Sequence, residues 1–193
     1  MTDRLEAQFA FLREADRLKS VLRASRLIDG SRPENSAEHS WHIMLYALVL
    51  ADQAGPEVSI PRVLQMLLIH DIVEIDAGDT PIHGDFDPAE QAALEEAAAT
   101  RLFGLLPADQ ATAFRALWEE FEAAETPDAQ FAKAIDRVQT PIANLAQNGG
   151  TWRDYKVTMA QMDARVGPPI SRAAPGLWAW LRPRLTEWFA RNS

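Results

Sequence analysis

The sequence predicts an all-α fold, and three observations carry that prediction. Apolar residues recur at helical spacing along most of the chain. Alternating apolar and polar runs, the mark of half-buried strands, are nearly missing. Several prolines stand where helices would begin. A first helix is expected over about residues 4 to 22, followed by a loop, "RASRLIDGSRPEN". Asn35 and Glu38 have the spacing of a capping pair for a second helix that runs to "AGP" at 54 to 56. This helix is apolar on nearly every side and is therefore expected at the centre. Ser59 and Pro61 open a third helix, "PRVLQMLLIHDIVEIDAG", which Gly78 closes. After the loop "TPIHGDFD", Asp87 and Pro88 start an alanine-rich helix and Pro107 starts another. Thr126 and Pro127 begin "PDAQFAKAIDRVQTPIANLAQ", with a kink expected at Pro141. "NGGTW" breaks the chain at 148 to 152, and a tryptophan-rich helix after Pro175 closes the fold with Trp178, Trp180 and Trp188.

Length and composition narrow the function. With 193 residues, 47% of them hydrophobic, the expectation is one domain over 1–193 with a substantial core. Nineteen Lys and Arg against 28 Asp and Glu give a net charge of -9, which disfavours a nucleic-acid surface, because phosphate contacts need clustered cations. There is no cysteine, so a transition metal would have to be held by His, Asp or Glu. The charged N-terminus lacks the apolar core of a signal peptide, and no apolar run reaches membrane-spanning length. A soluble, cytoplasmic protein is expected.

Ionisable residues gather in three places. "LLIHDIVEIDAGD" puts His70, Asp71, Glu74, Asp76 and Asp79 directly after an apolar stretch. On a helix Glu74 is a neighbour of both His70 and Asp71. Acidic residues near a helix C-terminus oppose the macrodipole and call for a compensating cation, which a bound metal would supply. An acidic helix end facing water is the alternative reading of the same residues. "FAKAIDRVQT" sets Asp136 on a stripe with Ala129, Ala132, Gln139 and Ala143, where pairing with Lys133 or Arg137 is the simpler explanation. "NSAEHSWHIM" holds His39 and His42, three apart and therefore about 300° apart around a helix.

Taken together, His39, then His70 with Asp71, then Asp136 form a spaced H…HD…D pattern that resembles the HD-domain metal-dependent phosphohydrolases. The stretches "DGSRPENSAEHSWH", "LLIHDIVEIDAGDT" and "FAKAIDRVQ" are similar to the 5'-deoxynucleotidase-like branch of that superfamily. The resemblance spans at least residues 18 to 155 and implies a compact helical bundle with a metal site between central helices. It implies that His39, His70, Asp71 and Asp136 hold one divalent cation, with Glu74 and Asp79 acting beside it. His42 is then a support for His39, not a ligand. A dinuclear site needs further histidines between the His-Asp pair and the last Asp, and only His83 lies there.

Two imidazoles and two carboxylates suit Mn(II), Co(II), Ni(II), Zn(II) or Mg(II). The resemblance further implies a small-molecule substrate, a nucleoside 5'-monophosphate, and a possible homodimer, since relatives are often dimers. Glu74 is the candidate for orienting or deprotonating the attacking water. Asp79 is the candidate for the leaving 5'-oxygen or a sugar hydroxyl. Arg23 and Arg32 flank the loop into His39 and match arginines of the family, so they are expected to bind the phosphate. Some relatives follow the first arginine with a tryptophan that packs the sugar, whereas this chain reads Ala24, Ser25, Arg26. Core packing is the expectation for Trp41 and Trp152. A two-iron HD-type oxygenase, a non-catalytic nucleotide-sensing module, and hydrolysis of an alarmone or cyclic nucleotide are the competing readings.

Overall fold

The computed structural model describes residues 2–192, and about three quarters of the chain is helical. The first helix, α1 (Thr2–Ala15), is shorter than expected and passes into a 3-10 turn (Asp16–Ser20). The stretch read as a loop contains a small antiparallel hairpin, β1 (Leu22–Arg26) and β2 (Pro33–Asn35), with Leu22 opposite Asn35 and Arg26 opposite Pro33. Strands of five and three residues are too short to show a period-2 pattern, which explains why the sequence hides them. Gly30, at φ 72°, takes the left-handed conformation within the turn.

Asn35 caps α2 (Ser36–Val49) as its spacing predicts: its side chain accepts from the Glu38 amide, and the Glu38 carboxylate accepts from the Asn35 amide. The burial expected around the whole of α2 is not what the structure shows. Ser36, His39, Ser40, Ile43 and Ala47 face inward, but Trp41, Leu45, Leu48 and Val49 lie exposed. Apolar content alone does not say which faces find a partner within the chain.

The third expected helix is divided in three. α3 (Ile60–Ile69) tightens into a 3-10 turn (His70–Val73) before α4 (Glu74–Ala77), and Gly78 ends it at φ 77°. The His70 ring donates through Nδ1 to the Leu67 carbonyl at 2.9 Å. A regular α-helix would give that carbonyl to the Asp71 amide, so the side chain competes at the point where the helix tightens.

α5 (Pro88–Phe103) is capped by Asp87, α6 (Ala108–Ala123) follows Pro107, and α7 (Pro127–Ala146) is capped by Thr126. α7 continues through Pro141, whose missing N–H removes the helical bond to the Arg137 carbonyl. Beyond the glycine turn come α8 (Thr151–Asp154), α9 (Met159–Gln161), a π-turn (Met162–Val166), α10 (Gly167–Ala173) and the tryptophan-rich α11 (Pro175–Asn192).

α7 is the spine of the fold, packed against α2, α3 and α10. Its buried Ala129, Ala132 and Ala134 let neighbouring helices come close, while Phe131 and Ile135 fill the core beside them. Trp152 is buried against Trp188 and Phe189, as core packing predicts, whereas Trp41 is exposed. Among the described residues no helix is long and apolar enough to cross a membrane.

Candidate metal centre

The three elements that carry the four motif residues come together at the middle of α7. His39 sits in the first turns of α2, His70 and Asp71 in the 3-10 turn after α3, and Asp136 on α7. His39, His70 and Asp136 each present a donor atom within 4.8 Å of the others. His39 Nε2 lies 3.1 Å from Asp136 Oδ1, and the two imidazole rings are 5.8 Å apart. Of the two simpler partners for Asp136, Lys133 pairs with Glu122, and Arg137 makes no ion pair with it within 4 Å.

The donor chemistry fits a divalent cation. Because a carbonyl only accepts, His70 Nδ1 must carry the proton it shares with Leu67, so Nε2 is the nitrogen left to share a proton or a metal ion with Asp71. That Nε2 is buried without a hydrogen-bond partner among the described residues, although Asp71 Oδ1 is only 2.8 Å away. Two basic atoms side by side without the alignment of a hydrogen bond are what a shared cation requires. Burial works to raise the Asp71 carboxyl, but His70 and Arg23 outweigh it and hold it down at about 2. Asp136 is likewise held well below the usual range by His39 and Arg137 against its burial. Both are ionised, as ligation demands.

Around this centre the side chains are ordered by hydrogen bonds. Glu74 accepts from the Ser36 hydroxyl at 2.5 Å, which fixes it beside Asp71. Burial and the Asp71 charge push Glu74 well above the ordinary carboxylate range, against the pull of Arg23 and Ser36. Asp79 accepts from the Ala24 amide at 3.3 Å and is raised by burial despite Arg23.

Arg23 lies at the hub of the acidic cluster. Its Nη1 is 3.1 Å from Asp71, 3.2 Å from Asp79 and 3.8 Å from Glu74, and its Nε is 3.9 Å from Glu34. It lines the cavity, where Nη1 donates to Asp71 while Nε is buried without a hydrogen-bond partner among the described residues. Arg32 stands elsewhere. It is exposed, forks onto Glu38 at 2.6 and 2.9 Å, and borders a separate hollow with Leu27 and Trp41. The structure therefore does not bring Arg32 to the centre.

Glu34 is the residue that sequence reasoning missed. Only 2% exposed, it faces His39 Nδ1 at 3.4 Å and accepts from Gln139 at 3.1 Å. Gln139 in turn lies 3.4 Å from His42 Nδ1, so a chain of polar contacts links His42 to His39 through Gln139 and Glu34. The signal was present in "RPEN", but only the hairpin carries Glu34 under the ring.

A cavity opens from the centre. Arg23, Asp79 and Asp136 form its inner end, and Arg137, Thr140 and Asn144 line it from α7. Trp152, Tyr155 and the π-turn residues Met162 and Val166 form more of its wall. Gly150 seats that wall. At φ 42°, it lies where a Cβ would come within 2.2 Å of Asn144 Oδ1, the atom that accepts from the Thr151 amide.

The profile of the HD domain family matches residues 15–178. The chain belongs to the HD-domain family. The membership read from the spaced motif is thus borne out, and so is the helical fold. A solved structure of a predicted metal-dependent phosphohydrolase from Magnetospirillum magnetotacticum MS-1 is 49% identical to this HD-domain chain. It superposes with a TM-score of 0.93, covering 98% of this chain and 97% of that one. The human 5'-deoxynucleotidase HDDC2 is 29% identical over 130 residues, 67% of this chain and 62% of its own length. The Schizosaccharomyces pombe 5'-deoxynucleotidase hdd1 is 31% identical over 134 residues, 67% of this chain and 66% of its own length. The chain thus spans a little under two thirds of the length of these curated relatives.

Proposed function

We propose that this HD-domain protein is a metal-dependent phosphomonoesterase that releases phosphate from nucleoside 5'-monophosphates, with 2'-deoxynucleotides among its substrates. The observation that carries the reading is the unbonded His70 Nε2 beside ionised Asp71, facing His39 and Asp136, at the inner end of a cavity. The deoxynucleotidase relatives supply the substrate class. His39, His70, Asp71 and Asp136 would hold one divalent ion. When bound, that cation would polarise the phosphorus centre and make water a better nucleophile near neutral pH.

The protein's own residues do the rest. Glu74, held by Ser36, is placed to take the proton of the attacking water, and its raised pKa suits a group that must accept and release a proton. Arg23 keeps the crowded carboxylates in place by neutralising them. Asp79, fixed by the Ala24 amide, faces the cavity where it can bond the leaving 5'-oxygen or a sugar hydroxyl. Ala24 offers no ring to pack the sugar, so the preference for dAMP over AMP should be modest, about tenfold or about 1.4 kcal/mol.

The test is a phosphate-release screen over ribo- and deoxynucleoside monophosphates and dATP, each with Mn(II), Co(II), Ni(II), Zn(II) and Mg(II). Release from monophosphates that disappears with EDTA and with Asp136→Ala supports the reading. Hydrolysis confined to dATP, or two bound irons with an oxygenase spectrum, overturns it.

A further inference from the structure

We infer that Arg137 is the cation that takes the phosphate group of the substrate in this cavity, an inference that rests on the phosphomonoesterase reading. A phosphate monoester is a dianion, and this chain carries a net charge of -9 with Asp79 and Asp136 at the cavity's inner end. A local counter-charge is needed. Arg23 has its charge balanced by four carboxylates within 4 Å, so it adds little net positive charge to the cavity. Arg32 is bound to Glu38 outside the cavity.

Arg137 differs from both. Its side chain lines the cavity half-buried, and among the described residues its guanidinium makes neither a hydrogen bond nor an ion pair. A guanidinium that lines a cavity with its donors uncommitted is open to a ligand that brings acceptors. The planar fork of an arginine matches two phosphate oxygens. Placement agrees with this role. Arg137, Thr140 and Asn144 recur at helical spacing on the face of α7 that lines the cavity, and Arg137 follows Asp136 directly. Its field is felt on both sides, at Asp136 and across the cavity at His83. His83, pushed down by burial and by Arg165 and Arg137 to about 4, is neutral near pH 7 and adds no competing cation.

The experiment compares the parent with Arg137→Gln and Arg137→Lys, all loaded with the same saturating metal. Calorimetry measures binding of inorganic phosphate, and steady-state kinetics measure KM for dAMP and inhibition by deoxyadenosine. Metal content is measured on each preparation. Arg137→Gln should weaken phosphate binding and raise KM about tenfold to hundredfold, the loss expected for charge-assisted hydrogen bonds. Metal content and deoxyadenosine inhibition should not change. Arg137→Lys should fall between, since it keeps the charge and loses the fork. Phosphate affinity unchanged in Arg137→Gln, no phosphate binding by the parent, or loss confined to deoxyadenosine would each overturn the assignment, as would metal loss that parallels the loss of phosphate. The phosphate arm needs no ester substrate. If monophosphates prove not to be hydrolysed, it therefore still decides the role of Arg137.

Discussion

The carboxylate of Glu34 faces His39 Nδ1 at 3.4 Å, which turns the ring's other nitrogen, Nε2, toward Asp136. A carboxylate can only accept, so when a metal takes the place of the proton that Nε2 shares with Asp136, Glu34 favours the tautomer with the proton on Nδ1. Such partners orient an imidazole and raise its basicity toward a metal, and their removal costs about tenfold to hundredfold in affinity. Glu34→Gln, which keeps the shape and loses the charge, should bind Mn(II) about tenfold more weakly by calorimetry, and Glu34→Ala more weakly still. Parent-like affinity in both variants would reduce Glu34 to a packing residue.

Arg23 makes a different prediction, about stability. Burial works to lower its pKa, but Asp71, Asp79 and Glu74 outweigh burial and keep it charged. Arg23→Met would leave buried carboxylates facing one another without a counter-charge. The metal-free protein should lose about 3–5 kcal/mol, the usual consequence of removing one partner of a buried charge cluster. A divalent cation returns positive charge to the same cluster. Melting curves in EDTA and in excess Mn(II) should therefore show a larger deficit for the variant without metal than with it.

These contrasts show what the sequence could and could not convey. Ionisable residues next to apolar helical runs drew notice to His70, Asp71 and Asp136 but left simpler readings open, and His39, His70, Asp71 and Asp136 were read as one set only through the resemblance of their H…HD…D spacing. The caps at Asn35, Asp87 and Thr126 were legible because each depends on local spacing. Glu34 and the role proposed for Arg137 were not, since both depend on contacts made across the fold. One depends on a hairpin of eight paired-strand residues, the other on which cations the carboxylates have already taken. Arg32 shows the same limit from the opposite side. Its position before His39 suggested the phosphate, but Glu38 lies six residues away and holds it at the surface.

His83 gives a pH prediction. Burial, then Arg165 and Arg137, depress it to about 4 from an ordinary 6.5. Between those values the unfolded chain binds a proton that the folded protein does not. Stability is therefore lost as pH falls from 6.5 to 4, and this group contributes no further loss below that. The ring is only half-buried, so screening keeps the effect to about 1 kcal/mol or less. Urea midpoints at pH 7, 6, 5 and 4 should decline more steeply for the parent than for His83→Asn. The carboxylates and His39 titrate in both proteins, so the difference between the curves belongs to His83. Parallel curves would mean that His83 titrates normally.

Glu74 separates metal binding from proton transfer. Its carboxylate is held by the Ser36 hydroxyl, lies beside Asp71, and is raised well above the usual carboxylate range by burial and by that neighbour. A group so placed can accept a proton from the attacking water without itself being a strong ligand. Glu74→Gln keeps the volume and the bond to Ser36 and loses the basic oxygen. Turnover should fall by about 10² to 10⁴ while metal content and nucleotide affinity stay near those of the parent. Metal analysis, calorimetric titration of dAMP and phosphate release on one preparation distinguish the outcomes. If metal is lost in proportion to rate, Glu74 belongs to the ligand set. If turnover is unchanged, the proton goes instead to Asp79, a cavity-lining carboxylate also raised by burial, and Asp79→Asn should then carry the loss.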